Sequence, residues 1–386
     1  MMRSPAQELA QLQEQNLLRS LAQIEGGEVP WVTVGERRLL NFSSNDYLGL
    51  SQHPALKSAA IEATREHGTG ATASRLVCGT FRYHRELEQR IAVLKETDDA
   101  RLFANGYSTA LGTITALVSK GDTVILDKLC HASLIDAARL SGATIRVFPH
   151  NQTERLAAIL RNTREKSGST TRILVVTESV FSMDGDTCPL AEIVALKNQY
   201  EALLLLDEAH ALGVLGPRGL GLAEELGLQK QVDFQMGTLG KAAGSAGGYL
   251  AASQDWIDLL TNKARSFIYS TAPPPAQVAA SQAGLDLICS SHGQKLREDL
   301  RNRIALLTSE AGLAGKLPAT PIIPHILGDN ELALSVSHRL RGQGLLVPAI
   351  RFPTVPRNTA RLRITLSAAH SAEEISSLAA ALKAFS

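Results

Sequence analysis

Three residue types able to do joint chemistry fall at the punctuation points of this chain. Asp207 ends the apolar run ALLLLD, His210 follows three residues later, and Lys241 opens the segment KAAGSAGG after the next apolar run. Open α/β sheets bind ligands in the crevice beyond the carboxyl ends of their strands, so Asp207 is expected to face a bound molecule. Small neighbours around Lys241 let a cofactor approach the backbone closely. An apolar wall lowers the pKa of an amine, as a Schiff-base lysine requires. These types suit pyridoxal 5'-phosphate (PLP), whose ring nitrogen needs a carboxylate beside it if the ring is to withdraw electrons from a substrate's α-carbon. Lys241 is expected to hold PLP as a Schiff base, Asp207 to pair with the ring nitrogen, and His210 to hydrogen-bond the phenolic oxygen.

Plainer readings exist for each residue alone. Most lysines are surface groups with buried stems, and a histidine in a βα loop is more often structural. The co-occurrence of all three favours chemistry. His131, in DKLCHASLIDA, also follows a strand end, where it would stack on the ring or serve proton transfer; otherwise it simply begins a helix. Gly106 opens a helix after a short apolar run, so the amides of Gly106, Tyr107 and Ser108 point toward a phosphate. Thr238, Ser270 and Thr271 add hydroxyls for the same anion.

The elements that must position these residues show in the hydrophobic pattern. DTVILD (122–127), ATIRVF (143–148), RILVVTES (172–179) and ALLLLDEAH (202–210) alternate with helical stretches, which predicts a parallel sheet covered on both faces. VDFQMGTLG (232–240) and AGGYLAAS (246–253) read as strands flanking Lys241. Leu9, Leu12, Leu17, Leu21 and Ile24 lie near helical spacing and predict an amphipathic N-terminal arm that stops at Gly26-Gly27. Beyond the Pro273-Pro274-Pro275 break the signals mix, with ARLRITLS (360–367) a strand. The expected organisation is an arm over 1–45, a large PLP-binding domain over 46–280 and a smaller C-terminal α+β domain over 281–386.

Composition bounds the rest. At 386 residues, the chain exceeds one ordinary core. With 44% hydrophobic and 20% charged residues it reads as a folded enzyme. A net charge of +1 gives no field for recruiting nucleic acid or an anionic membrane. Cys78, Cys130, Cys188 and Cys289 form no CxxC pair, which favours reduced thiols over disulfides or a zinc site and suggests a cytoplasmic location. No secretory leader or membrane-length apolar run stands out.

With Lys241, Asp207, His210 and His131 placed, the chain from about Leu40 to its end resembles the fold-type I PLP enzymes, and within them the alpha-oxoamine synthases. The likeness rests on NFSSNDYLGL (41–50), GTGATASRLVCGT (68–80), HRELE (84–88), TESVFSMDGD (177–186), LDEAHALGVLG (206–216) and TLGKAAGSAGG (238–248), in that order. It implies a large domain with a mainly parallel sheet flanked by helices, a smaller C-terminal α+β domain and an N-terminal helical arm. VPAIRFPTVPRNTARLRITLSAAH (347–370) is similar to the branch that condenses L-alanine, with loss of CO2, onto a pimeloyl thioester in biotin synthesis. The thioester is pimeloyl-CoA or a pimeloyl-carrier protein. The alternatives are the branch joining glycine to acetyl-CoA, an ordinary aminotransferase, and a non-catalytic partner subunit of the same fold.

By that resemblance Arg363 holds the amino-acid carboxylate, Asn45 and Arg351 lie in the active site, and Thr354 and Arg19 contact the acyl substrate. His131 serves both cofactor and substrate, and Ser182 sits near the phenolic oxygen. Gly106, Tyr107 and Thr238 bind the cofactor. Thr271 reaches the phosphate of a neighbouring subunit, which implies a homodimer with active sites at its interface. Cys78 in RLVCGT and Phe352 in IRFPTVP depart from the family's usual serine and proline, and the second leaves acyl-chain preference open.

Overall fold

The computed structural model describes residues 4–166, 171–312 and 320–384. A helix α1 (Pro5–Glu14) begins the chain, capped by Ser4, whose side chain accepts from the Gln7 amide. It is shorter than the leucine spacing predicts. Asn16 turns to φ 54 and ends it, and Ile24 opens a strand instead. None of the residues of α1 is buried, so nothing in the described chain extends the helix by packing. Strands β1 (Ile24–Gly26), β2 (Trp31–Val34) and β3 (Arg37–Asn41) follow as an antiparallel meander.

The central sheet contains β4 (Asp99–Phe103), β5 (Thr123–Asp127), β6 (Thr144–Phe148), β7 (Ile173–Glu178), β8 (Leu203–Asp207), β9 (Phe234–Thr238) and β10 (Gly248–Ala252), in the order β4-β10-β9-β8-β7-β5-β6. The run from β6 to β9 is parallel, and β10 lies antiparallel to both β9 and β4. The Val/Ile/Leu runs of β5, β7 and β8 are buried because helices cover both faces. One apolar layer packs Ile114, Leu117 and Leu134 on Val124, Val176 and Leu205; the other packs Leu156, Leu190 and Ile193 on Ile125, Val175 and Leu204. Two helices matter for the site, α2 (Gly106–Leu117) and α3 (Ala132–Ser141), which pack against one another.

Two compact units emerge. The larger is formed by Leu50–Ser182 and Asp186–Glu298, and the smaller by Met1–Gly49, Met183–Gly185 and Asp299–Ser386. The smaller one contains β11 (Ile322–Gly328), β12 (Leu345–Leu346), β13 (Ala349–Ile350) and β14 (Ala360–Thr365). These make a three-stranded sheet β11-β14-β13, while β12 joins the N-terminal meander beside β3. Among the described residues, no helix is long and apolar enough to cross a membrane.

Candidate active site

The parallel strands of the larger unit end in polar residues along one edge: Asp127 on β5, Glu178 on β7, Asp207 on β8 and Thr238 on β9. A cavity of about 200 Å³ opens there, lined by Glu178, Asp207, His210 and Lys241 together with His131, Gly106, Tyr107 and Thr238. Seven residues expected from sequence to serve the cofactor therefore surround one space.

Asp207 is 5% exposed, and its Oδ1 accepts from the Ala209 amide at 2.9 Å. Burial holds its pKa above the ordinary carboxylate value, with Lys241 and the Ala209 amide pulling the other way. Lys241 Nζ lies 2.7 Å from His210 Nε2. The lysine stands on a tight loop closed by the Gly244 amide donating to Lys241 O and the Ser245 amide donating to Leu239 O. Gly244 has φ 70, and a Cβ there would sit 2.7 Å from the backbone of Leu50 and Ser51. Only glycine fits both constraints. The turn after β8 is held from beneath by buried Lys95, which donates to Glu208 and, at 2.5 Å, to Leu220 O.

His131 is the N-cap of α3. Its Nδ1 lies 2.9 Å from Ser133 Oγ, and its backbone amide donates to Glu178. Burial lowers the pKa of His131, and Lys241 adds to this against the opposing pull of Asp207, so the neutral ring is favoured. At the start of α2 the Asn105 side chain accepts from the Ser108 amide at 2.8 Å. Ser108 is therefore occupied, and the amides of Gly106 and Tyr107 are the ones left to meet an anion. Thr238 Oγ1 donates to Gly247 O and accepts from Gly240 N, which ties it to the lysine loop. Ser182 is buried on the segment after β7, and Thr271 bridges Ser74 at an exposed position; neither lines the cavity.

The other expected residues fall in the smaller unit. Both Arg363 Nη atoms donate to Asn45 Oδ1 at 3.2 Å, and Tyr47 donates to the same oxygen at 3.1 Å. Burial pushes the Tyr47 pKa up to about 12, with Arg363 opposing. Arg19 donates to Thr354 Oγ1 at 3.2 Å, and Arg351 donates to Asn16 O. Burial, and then the neighbouring Arg19 charge, lowers the pKa of Arg351, so two guanidiniums share one neighbourhood. That arrangement suits an anion.

Sequence reasoning passed over Glu178, although a carboxylate ending an apolar strand is the same signal that singled out Asp207. It also passed over His150, which joins Asp127 Oδ1 at 2.9 Å to Asp186 Oδ2 at 2.7 Å. No local pattern marks that contact, because its partners are far apart in the chain.

The donor set fits PLP. A buried anion suits a protonated ring nitrogen, helix-end amides suit a phosphate, an amine suits an aldehyde, and His131 flanks the space between them. A mainly parallel sheet with such a site at its strand ends defines a PLP-dependent enzyme of fold-type I.

Comparison with known proteins narrows the class. Residues 37–382 match the family Aminotransferase class I and II. A relative from Geobacter sulfurreducens named 8-amino-7-oxononanoate synthase is 46% identical over 99% of this chain and 97% of its own length. One of the same name from Pelobacter propionicus is 43% identical over 97% and 95%. Among solved structures, a serine palmitoyltransferase from S. paucimobilis with PLP and myriocin bound superposes with a TM-score of 0.91 at 30% identity, covering 98% of this chain and 95% of that one. An 8-amino-7-oxononanoate synthase from Francisella tularensis gives 0.76 at 26%, covering 90% and 97%. The chain belongs to the aminotransferase class I and II family, among the 8-amino-7-oxononanoate synthases.

Proposed function

We propose that this chain condenses L-alanine with a pimeloyl thioester, giving 8-amino-7-oxononanoate, CO2 and the free thiol of the carrier. The full-length identity of 43–46% to synthases of that name carries the reading. The placement of Lys241, His210, Asp207 and His131 around one cavity supports it.

When bound, the cofactor provides a ring that accepts the electron pair released at the alanine α-carbon. Lys241 would be the attachment point, and its amine, when free, would take the α-proton and return one to the product. Asp207 keeps the ring nitrogen protonated. His210, beside Lys241, would hydrogen-bond the phenolic oxygen, and Ser182 is assigned to the same oxygen by the family resemblance. His131, on the cavity wall, would flank the cofactor, and burial, which favours its neutral form, would let it accept or donate a hydrogen bond without adding charge. The amides of Gly106 and Tyr107, with Thr238, hold the phosphate, and Thr271 reaches it across a homodimer.

Arg363 and Asn45 take the alanine carboxylate, a planar anion that a guanidinium grips with two hydrogen bonds. Arg19, Thr354 and Arg351 contact the acyl substrate, and the paired guanidiniums suit its terminal carboxylate.

Absorption spectra of the purified protein with PLP, before and after borohydride, test the cofactor assignment, with peptide mapping to locate the label. The expected result is a visible band that borohydride fixes at Lys241. Product analysis then compares L-alanine plus pimeloyl-CoA or pimeloyl-carrier protein with glycine plus acetyl-CoA. Faster turnover of the glycine pair would reassign the substrate, and the absence of any PLP band would overturn the whole reading.

A further inference from the structure

Glu178 has no role in the steps above, yet it is one of two carboxylates on the cavity floor. It ends β7 as Asp207 ends β8, and the two are register partners in that parallel pair. Their side chains therefore leave the sheet on the same face. Glu178 is 3% exposed, and its Oε1 accepts the backbone amide of His131. The charged or titratable groups facing it come from every neighbouring element: Asp207 on β8, Asp127 and Cys130 on β5 and the turn after it, His131 at the start of α3, and Lys241 on the loop before β10.

Two carboxylates in one desolvated site do not both ionise readily, since each charge raises the energy of the other. Asp207 is the better supported anion, because Lys241 and the Ala209 amide both favour its charged form. Glu178 is the more burdened partner: burial, followed by Asp207, pushes its pKa up to about 8.

We propose that Glu178 is a positioning residue that keeps its proton, holds His131 by the backbone amide and leaves Asp207 as the single anion beneath the cofactor ring. The inference rests on the PLP reading. A neutral carboxyl accepts at one oxygen and donates at the other, so it anchors the start of α3 without placing a second negative charge beside Asp207. Glutamine offers the same acceptor and a donor, and is neutral at every pH. Leucine offers neither.

The test uses the full-length protein reconstituted with PLP, comparing wild type, Glu178→Gln, Glu178→Leu and Asp207→Asn. Two quantities are read: the PLP dissociation constant from absorption titration, and the infrared carbonyl band of protonated carboxyl groups as a function of pH. Glu178→Gln is expected to bind PLP within about threefold of wild type and Glu178→Leu about tenfold or more weakly, the scale of one lost buried hydrogen bond. The wild-type acid band at pH 7 should vanish in Glu178→Gln, and its titration midpoint should move down in Asp207→Asn, where the repelling charge is gone. Glutamine binding PLP as poorly as leucine, or a wild-type spectrum lacking the acid band, would overturn the inference. Should Glu178→Leu fail to fold, the glutamine variant and the band decide alone. Failure of the wild type itself to take up PLP would instead sink the cofactor reading, leaving the infrared band to judge the protonation.

Discussion

At the scale of single residues, the site separates groups that carry charge from groups that carry geometry. In the proposed reaction Lys241 does both, its amine attaching the cofactor and moving the α-proton. Lys241→Ala should leave PLP held by its phosphate contacts, abolish borohydride fixation, and lower kcat/KM by about 10³-fold or more, the range lost when a positioned proton-transfer group is removed. Mass spectrometry after reduction and single-turnover assays check this; borohydride labelling at another lysine would contradict it. Arg363 has a different signature in the proposed function, where it binds the substrate carboxylate through charge-assisted hydrogen bonds. Arg363→Ala should raise KM for alanine by about tenfold or more while the PLP absorption band persists. A steady-state series in alanine at saturating thioester measures it, and a variant that loses PLP instead would assign Arg363 to the cofactor.

At the scale of elements, the strands were legible in the sequence because each buried run is a continuous Val/Ile/Leu stretch ending in a polar residue; RILVVTES became Ile173–Glu178 and ALLLLDEAH became Leu203–Asp207. The edge strand Asp99–Phe103 was not, since DARLF mixes charged and apolar residues and gains its strand state from pairing with β10. Contacts between loops were equally silent. His150 joins the end of β5, from which the chain runs on to His131, to the segment carrying Ser182 and Asp186. Burial would lower its pKa, but hydrogen bonds to Asp127 and Asp186 win and raise it to about 10. A raised folded-state pKa means the stabilisation is complete below the unfolded value of about 6.5 and fades as pH rises toward 10. The melting-temperature difference between wild type and His150→Gln should therefore be largest near pH 6 and shrink by pH 10; a gap independent of pH would contradict the doubly paired imidazolium. Close packing at β10 gives a second element-level prediction. A Cβ on Gly248 would lie 2.3 Å from Thr109 Oγ1 and 2.8 Å from Asn105 C, at the first turn of α2. Gly248→Ala should displace that turn, costing about 1–3 kcal/mol of stability and weakening PLP binding through the Gly106 and Tyr107 amides. Chemical denaturation and PLP titration read the two effects, and unchanged binding would separate β10 from the phosphate site.

For the whole molecule, a formal charge of +1 leaves no global field, so anion binding has to be built locally from helix-end amides and guanidiniums. Composition alone showed that much, and fold class followed from the alternation of strand and helix patterns. The local closure of the lysine loop and the register of Glu178 against Asp207 were not legible, because both depend on which strands become neighbours. In the folded chain, strands β7, β8 and β9 deliver Glu178, Asp207 and Thr238 to one cavity in the larger unit. PLP bound there, and not to the unfolded chain, must stabilise that unit by mass action, by about 2.7 kcal/mol at a free concentration one hundred times the dissociation constant. Calorimetry of protein stripped of PLP and then titrated with it should show the melting transition rising with the logarithm of PLP concentration. Asp207→Asn should reduce the rise, since it weakens binding without touching the unfolded state. A transition indifferent to PLP, in protein whose absorption proves the cofactor bound, would mean that the cavity survives the first unfolding event and that the smaller unit melts first.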